Sequence, residues 1–290
     1  MKAAFRQVQV FLEMIKFEHS IFALPFAYLG MALAGHGLPS LRLFLLVTVA
    51  MVAARTVAMS FNRLADLRFD AANPRTNKRP LVTGALKPGV AWGATFLSLA
   101  ALAVTAWLIN PFVFAISPLA ALLLFGYSFT KRFTWLSHFV LGFTDAASVA
   151  GAWAAVRASL FTHADLPIWT LVGTVTVWIA GFDLIYACQD YQVDIKLGLH
   201  SIPARFGIPF ALQLARILHI LTVLGFLVVG WQFNLGWIYW PGTLLSAALL
   251  TYEHSIISPK DLSRVNLAFF NVNGYISILM FFFTFFALKA

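Results

Sequence analysis

The chain has 290 residues, of which 61% are hydrophobic and 11% charged, and a formal net charge of +9. A soluble domain is about half apolar and a quarter charged, so this balance excludes water as the main solvent and points to a bilayer. The single cysteine, Cys188, excludes an intramolecular disulfide and any multi-cysteine metal site.

In chain order, Phe5 to Phe17 reads as an amphipathic piece lying along the membrane surface. A removable leader would instead carry a short apolar core followed by small residues. A bilayer core of roughly 30 Å takes about 20 apolar residues per helix. Such stretches recur at 20–36, 41–61, 90–109, 112–130, 137–157, 167–188, 208–230, 236–252 and 266–288. The sequence predicts an all-α integral membrane protein, a bundle of about nine transmembrane helices around a central cavity. Residues 1–290 read as a single domain, because no long polar or Pro/Gly/Ser-rich linker interrupts the helices.

The basic residues orient the bundle. Lys2, Arg6 and Lys16 precede the first span, and Arg63, Arg68, Arg75, Lys78, Arg79 and Lys87 follow the second. Lys131, Arg132, Lys196, Arg205, Lys260 and Arg264 fall in connections on the same side, against Arg42, Arg157 and Lys289 on the other. The positive-inside rule then puts the N-terminus and the long connections in the cytoplasm, as expected of a multi-pass protein of a cell inner membrane. That rule also accounts for the positive net charge without nucleic acid as a partner.

Of eleven acidic residues, five sit in two runs, NRLADLRFD (62–70) and DLIYACQDYQVD (183–194). On a helix, Asn62, Asp66 and Asp70 drift only about 40° per step, and Asp183, Asp190 and Asp194 stay within about 40° of one another. Each run is therefore expected to form one stripe. Two unit charges about 5 Å apart at an effective dielectric near 20 interact by roughly 3 kcal/mol, so such a cluster calls for cations. Oxygen donors of this kind suit Mg2+, which takes one or two carboxylates plus water and phosphate oxygens. The alternative is a pair of solvated helix ends whose acids pair with nearby Arg and Lys. Both runs lead into loops with Pro, Arg and Gly, RTNKRPLVTG (75–84) and HSIPARFG (200–207), an order that hints at an old duplication.

The two runs with their flanks resemble the aspartate-rich motifs of the UbiA-type membrane prenyltransferases, roughly NxxxDxxxD and DxxxD, in the expected order and over essentially the whole chain. KFEHSIFALPFAYLG (16–30) resembles the first-helix signature of the 4-hydroxybenzoate polyprenyltransferase-like branch, although many members have Arg where this chain has Lys16. A lysine lacks the guanidinium fork, so a bidentate grip on a carboxylate at Lys16 is in doubt. The same branch includes enzymes of the futalosine route to menaquinone, which prenylate a dihydroxynaphthoate.

The resemblance implies transfer of a polyprenyl group from its diphosphate to the ring of an aromatic acid such as 4-hydroxybenzoate, with Mg2+ as cofactor. Asn62, Asp66, Asp70, Asp190 and Asp194 would bind metal and diphosphate, and Asp183 would support the second site. Lys131, Arg75 and Arg79 lead the basic residues for the remaining phosphate charge, with Arg63 on the same surface. Arg55, within about 20° of Asn62 and Asp66 on the helix, is a candidate for the acceptor carboxylate or a partner of an acid such as Asp66. Tyr127 and Tyr186 are candidates for orienting a phosphate or the acceptor hydroxyl, with interfacial anchoring as the alternative. Asp145, costly to leave in lipid, should face the interior and meet the acceptor or a base such as Arg55, with a purely structural hydrogen bond as the alternative. The histidines, His19, His138, His200 and His254 among them, show no HExxH-like spacing and read as ordinary polar contacts. A transporter of an anionic solute is the competing class, opposed by acids that cluster at one membrane face instead of the midplane.

Overall fold

A computed structural model describes the backbone of residues 2–16 and 20–289 and the side chains of 7–16 and 24–289. Residues 17–19 of the first-helix signature, His19 included, lie outside the described residues. The element order is α1 (Lys2–Met14), α2 (Ser20–Gly35), α3 (Leu41–Ala65), α4 (Leu67–Ala72), α5 (Pro88–Ile109), α6 (Pro111–Thr130) and α7 (Ser137–Arg157). There follow α8 (Leu166–Ala187), α9 (Tyr191–Leu197), α10 (Ile202–Phe206), α11 (Ile208–Gln232), α12 (Tyr239–Ser255), α13 (Val265–Leu267) and α14 (Asn273–Ala287). A π-helical turn, Ala268–Val272, joins the last two.

Among the described residues, seven helical segments are long and apolar enough to cross a membrane. Two shorter helices, α2 with 16 residues and α12 with 17, occupy the places of the first and eighth expected spans. Proline in the first turn opens α5, α6, α8 and α11, where its missing N–H costs no helical bond. Asn110 caps α6 by accepting from Val113 N at 2.8 Å and donates to Ala154 O at 3.0 Å, which ties the corner to α7.

Lipid tails are as apolar as leucine, so close packing and not expulsion of apolar surface must hold such helices together. Gly142 on α7 lies so near Thr176 O of α8 that a Cβ would collide with it, and a Cβ on Gly30 of α2 would fall 2.6 Å from Val149 O of α7. The main core fills with Phe26, Leu29, Trp153, Trp178, Phe226 and Ile276, contributed by α2, α7, α8, α11 and α14. Phe26 stacks on Phe226 at 6.2 Å and leans on Trp178 at 5.0 Å.

Met14 and Ile15 are buried against Leu81, Leu86 and Ala91, so the end of α1 packs on the connection between α4 and α5. That connection carries Arg75 and Arg79 to the site described next.

Candidate active site

Neither acidic run forms one uninterrupted helix. α3 stops at Ala65, and Asp66 (φ −94°, ψ 6°) both ends it and starts α4. α8 stops at Ala187, a 3-10 turn spans Cys188–Asp190, and Asp190 (φ −95°, ψ 2°) starts α9. The two breaks thus share one backbone conformation, in the sparsely populated region between helix and strand. The expected stripes are therefore corrected to a helix, a break and a short helix, repeated. Asp70 and Asp194 each sit four residues past the break, in the first turn of the short helix.

The repeated arrangement surrounds one polar cavity of about 170 Å3, lined by Asn62, Arg63, Asp66, Asp70, Arg75, Arg79, Lys131, Asp190 and Asp194 among others. Each carboxylate in it holds a base. Arg75 donates to both oxygens of Asp190, at 2.9 and 2.6 Å, and to the Tyr186 hydroxyl at 2.8 Å. Arg79 Nη1 lies 2.6 Å from Asp70, with Arg63 at 3.6 Å. Lys131 Nζ lies 2.8 Å from Asp194, and Arg132 lies 3.3 Å from Asp66. The Asn62 amide donates to Asp66 at 3.0 Å.

Arginine and lysine thus supply the neutralisation expected of metal. Among the described residues, no group of three or more His, Cys, Asp or Glu converges as a ready-made metal cage. The donor set still fits a hard divalent ion. Four carboxylates and two amides, Asn62 and Asn73, surround a single cavity, and Mg2+ needs only one or two of the carboxylates when phosphate and water complete its shell.

Burial pushes the Asp70 carboxyl up to about 6 against the pull of Arg63, and neighbouring Asp66 acts in the same upward sense. Burial likewise raises Asp66 against Arg63 and Arg132. Burial draws the Arg75 guanidinium down, but its bond to Asp190 more than compensates and leaves it above its ordinary value.

Other expected residues lie elsewhere. Tyr127 does not line the polar cavity with Lys131; its hydroxyl donates to Ala58 O at 3.0 Å. Asp183 is engaged by His138 Nδ1 at 2.6 Å, and His138 Nε2 accepts from Ile202 N at 3.4 Å, so α7, α8 and α10 are tied together. Tyr186 flanks the cavity through Arg75 and packs on Phe269, ring centroids 4.4 Å apart. Lys16, exposed and with φ 51°, lines neither this cavity nor the next. Cys188 is buried and only donates to Leu184 O.

Arg55 and Asp145 face a second cavity of about 290 Å3, mostly apolar, between α3, α5, α6 and α7. It adjoins the first along α3, since Ala58 lines one and Asn62, a single turn on, lines the other. Sequence reasoning missed Asn73, which donates to Asp190 at 2.8 Å, Ser201, which donates to Asp194 at 2.7 Å, and Arg132 on Asp66. The only available signals were the Lys131–Arg132 doublet and the polar setting of Asn73.

A bundle whose interior is greasy at one level and crowded with ions at the next suits a molecule divided the same way, with an apolar tail and an anionic head. Its class is that of multi-pass membrane proteins. The UbiA prenyltransferase family matches over residues 23–285, and the chain belongs to that family. It is accordingly a transferase of prenyl groups.

The chain is 31% identical over 258 residues to a 4-hydroxybenzoate octaprenyltransferase of Pseudoalteromonas translucida, covering 88% of this chain and 85% of that one. It is 29% identical over 279 residues to a 4-hydroxybenzoate octaprenyltransferase of Hydrogenovibrio crunogenus, covering 95% of each. The apo structure of a UbiA homolog from Aeropyrum pernix K1 superposes with a TM-score of 0.82 at 34% identity, covering 91% of this chain and 95% of that one. A UbiA homolog from Archaeoglobus fulgidus, solved bound to GPP and Mg2+, shares the fold with a TM-score of 0.74 at 21% identity, covering 97% of this chain and 100% of that one.

Proposed function

We propose that this enzyme transfers a polyprenyl group from its diphosphate to the ring of a hydroxylated aromatic acid, such as 4-hydroxybenzoate, in quinone biosynthesis. A dihydroxynaphthoate is the alternative acceptor for the same chemistry. One observation carries the proposal: a cavity of paired carboxylates and bases adjoins an apolar cavity, the division that a prenyl diphosphate has. The relatives named for 4-hydroxybenzoate and the GPP- and Mg2+-bound homolog support it.

In this reading Asn62, Asp66, Asp70, Asp190 and Asp194 would hold Mg2+ and the diphosphate, Tyr186 supports them through Arg75, and Asp183 fixes the surrounding helices through His138. Bound there, Mg2+ supplies positive charge to the departing pyrophosphate. Arg75, Arg79, Lys131 and Arg63 contribute the rest. Their present partners are carboxylates, so an incoming diphosphate competes for guanidinium and ammonium groups already aimed at the cavity. Charge on the leaving oxygens strengthens these contacts as the allylic C–O bond breaks, and such differential binding lowers the barrier.

The allylic cation left behind lies in a water-poor space, where the ring attacks it, a C–C bond forms and the ring proton is lost. Arg55 meets the acceptor carboxylate in the apolar cavity. The whole chain, 1–290, acts as one domain with its N-terminus and acidic loops in the cytoplasm and its helices in the inner membrane, as the basic residues favour.

Purified protein with Mg2+, a polyprenyl diphosphate and 4-hydroxybenzoate or a dihydroxynaphthoate should release pyrophosphate and form a prenylated acid in equal amounts. Uptake of an anionic solute into liposomes without any such product would instead establish a transporter.

A further inference from the structure

The lining of the apolar cavity has few polar groups, and the uncharged ones are committed. Ser117 donates to Phe114 O, Thr144 to Val140 O and Ser148 to Asp145 O, each within its own helix. Trp169 donates to Leu160 O. The charged side chains of the lining are Arg55, from α3, and Asp145, from α7. They lie within electrostatic reach of each other, yet no ion pair at 4.0 Å or less joins them, and Arg55 Nε is buried without a hydrogen-bond partner. Among the described residues, no side chain lining the cavity donates a hydrogen bond to the Asp145 carboxylate.

A cation and a carboxylate left uncommitted in an apolar space need a ligand that satisfies both, since burying charge unpaired is costly. An aromatic acid bearing a ring hydroxyl has the matching pair, an anion for Arg55 and an O–H donor for Asp145. We propose that Asp145 accepts a hydrogen bond from the ring hydroxyl of the acceptor and so selects hydroxylated aromatic acids over their deoxy analogues. The inference rests on the acceptor class given above. The bond orients the ring and keeps electron density on the oxygen that shares positive charge once the ring has attacked the allylic cation. Asp145 takes part in no covalent step.

A site built to hydrogen-bond a substrate hydroxyl rejects the analogue that lacks it, because its own polar group is then left unpaired. Binding of 4-hydroxybenzoate and benzoate, and of a dihydroxynaphthoate and naphthoate, to the protein in lipid nanodiscs tests this. Wild type should prefer the hydroxylated acid by about 10- to 100-fold. In Asp145→Leu the preference should fall to near parity, with benzoate affinity and donor KM within about threefold of wild type. Asp145→Asn, which keeps an oxygen acceptor, should retain part of it. An Asp145→Leu protein with the full wild-type preference overturns the inference.

Should Asp145→Leu not fold, 4-methoxybenzoate decides on the wild type. Without a donor proton it should bind as weakly as benzoate, and binding as tight as that of 4-hydroxybenzoate overturns the inference. A wild type that binds and prenylates no hydroxylated acid overturns the acceptor class itself. Prenylation with a preference that Asp145→Leu leaves unchanged overturns only the role of Asp145.

Discussion

Arg75 grips Asp190 as a fork, with Nε 2.9 Å from Oδ1 and Nη2 2.6 Å from Oδ2. Both oxygens of a carboxylate proposed to hold Mg2+ are thereby occupied by a base from the other acidic segment. Loading donor and metal must exchange those partners, moving the guanidinium from carboxylate to phosphate. Arg75→Lys keeps the charge and loses the fork, so donor KM should rise about 10-fold while acceptor KM stays unchanged. Arg75→Ala should lower kcat/KM for the donor by about 100-fold. Steady-state kinetics with each substrate varied in turn checks both.

Asp70 must be ionised to hold a cation, and burial places its loss of charge near pH 6 instead of the ordinary 3.8. The Mg2+ concentration for half-maximal rate should therefore climb as pH falls below about 6 and be level above about 7. Folding responds in the opposite sense. Between about 4 and 6 the folded chain binds this proton more tightly than the unfolded chain, so stability without Mg2+ declines as pH rises through that window and is flat above it. Asp70→Asn should flatten the stability trend, as thermal unfolding in detergent at stepped pH will read.

His138 and Asp183 pair at 2.6 Å outside the lining of the polar cavity. Their expected contribution is to join α7 to α8 and, through Ile202, to α10. His138→Leu should destabilise the protein by about 1–3 kcal/mol, since it strands a carboxylate. Donor KM should move less than about twofold, because neither residue reaches the diphosphate. A large rise in donor KM with unchanged melting would instead bring Asp183 into the phosphate site.

Asp66→Asn and Asp190→Asn remove one charge from each half of the site and preserve shape. Each should lower kcat/KM by about 100-fold or more at limiting Mg2+, with partial recovery at high Mg2+ for a residue that binds it. Full turnover at limiting Mg2+ in a well-folded variant would remove that residue from the metal site.

How much of this was legible beforehand differs between fold and site. Long apolar stretches announce themselves, and the helices of the structure lie where hydropathy put them. The pairing of acid runs was legible too, because four-residue spacing is a local property. What spacing could not reveal is that the chain breaks at Asp66 and Asp190. Nor could it foresee that Arg75 reaches 115 positions along the chain to Asp190, or that Lys131 meets Asp194. Repulsion among the acids calls for cations of some kind, and sequence shows bases nearby, but only tertiary structure shows which base meets which acid. Tyr127 shows the same limit, since sequence does not disclose that its hydroxyl reaches Ala58 O.

Prenyl transfer to a hydroxylated aromatic acid is read out by product mass spectrometry. Protein in nanodiscs with Mg2+ is offered 4-hydroxybenzoate and the dihydroxynaphthoates together with polyprenyl diphosphates of several lengths. The account predicts one acid heavier by a prenyl group less one hydrogen, with one pyrophosphate per product and neither when Mg2+ is chelated. Pyrophosphate release without any prenylated acid, or no reaction with any pair, would contradict it.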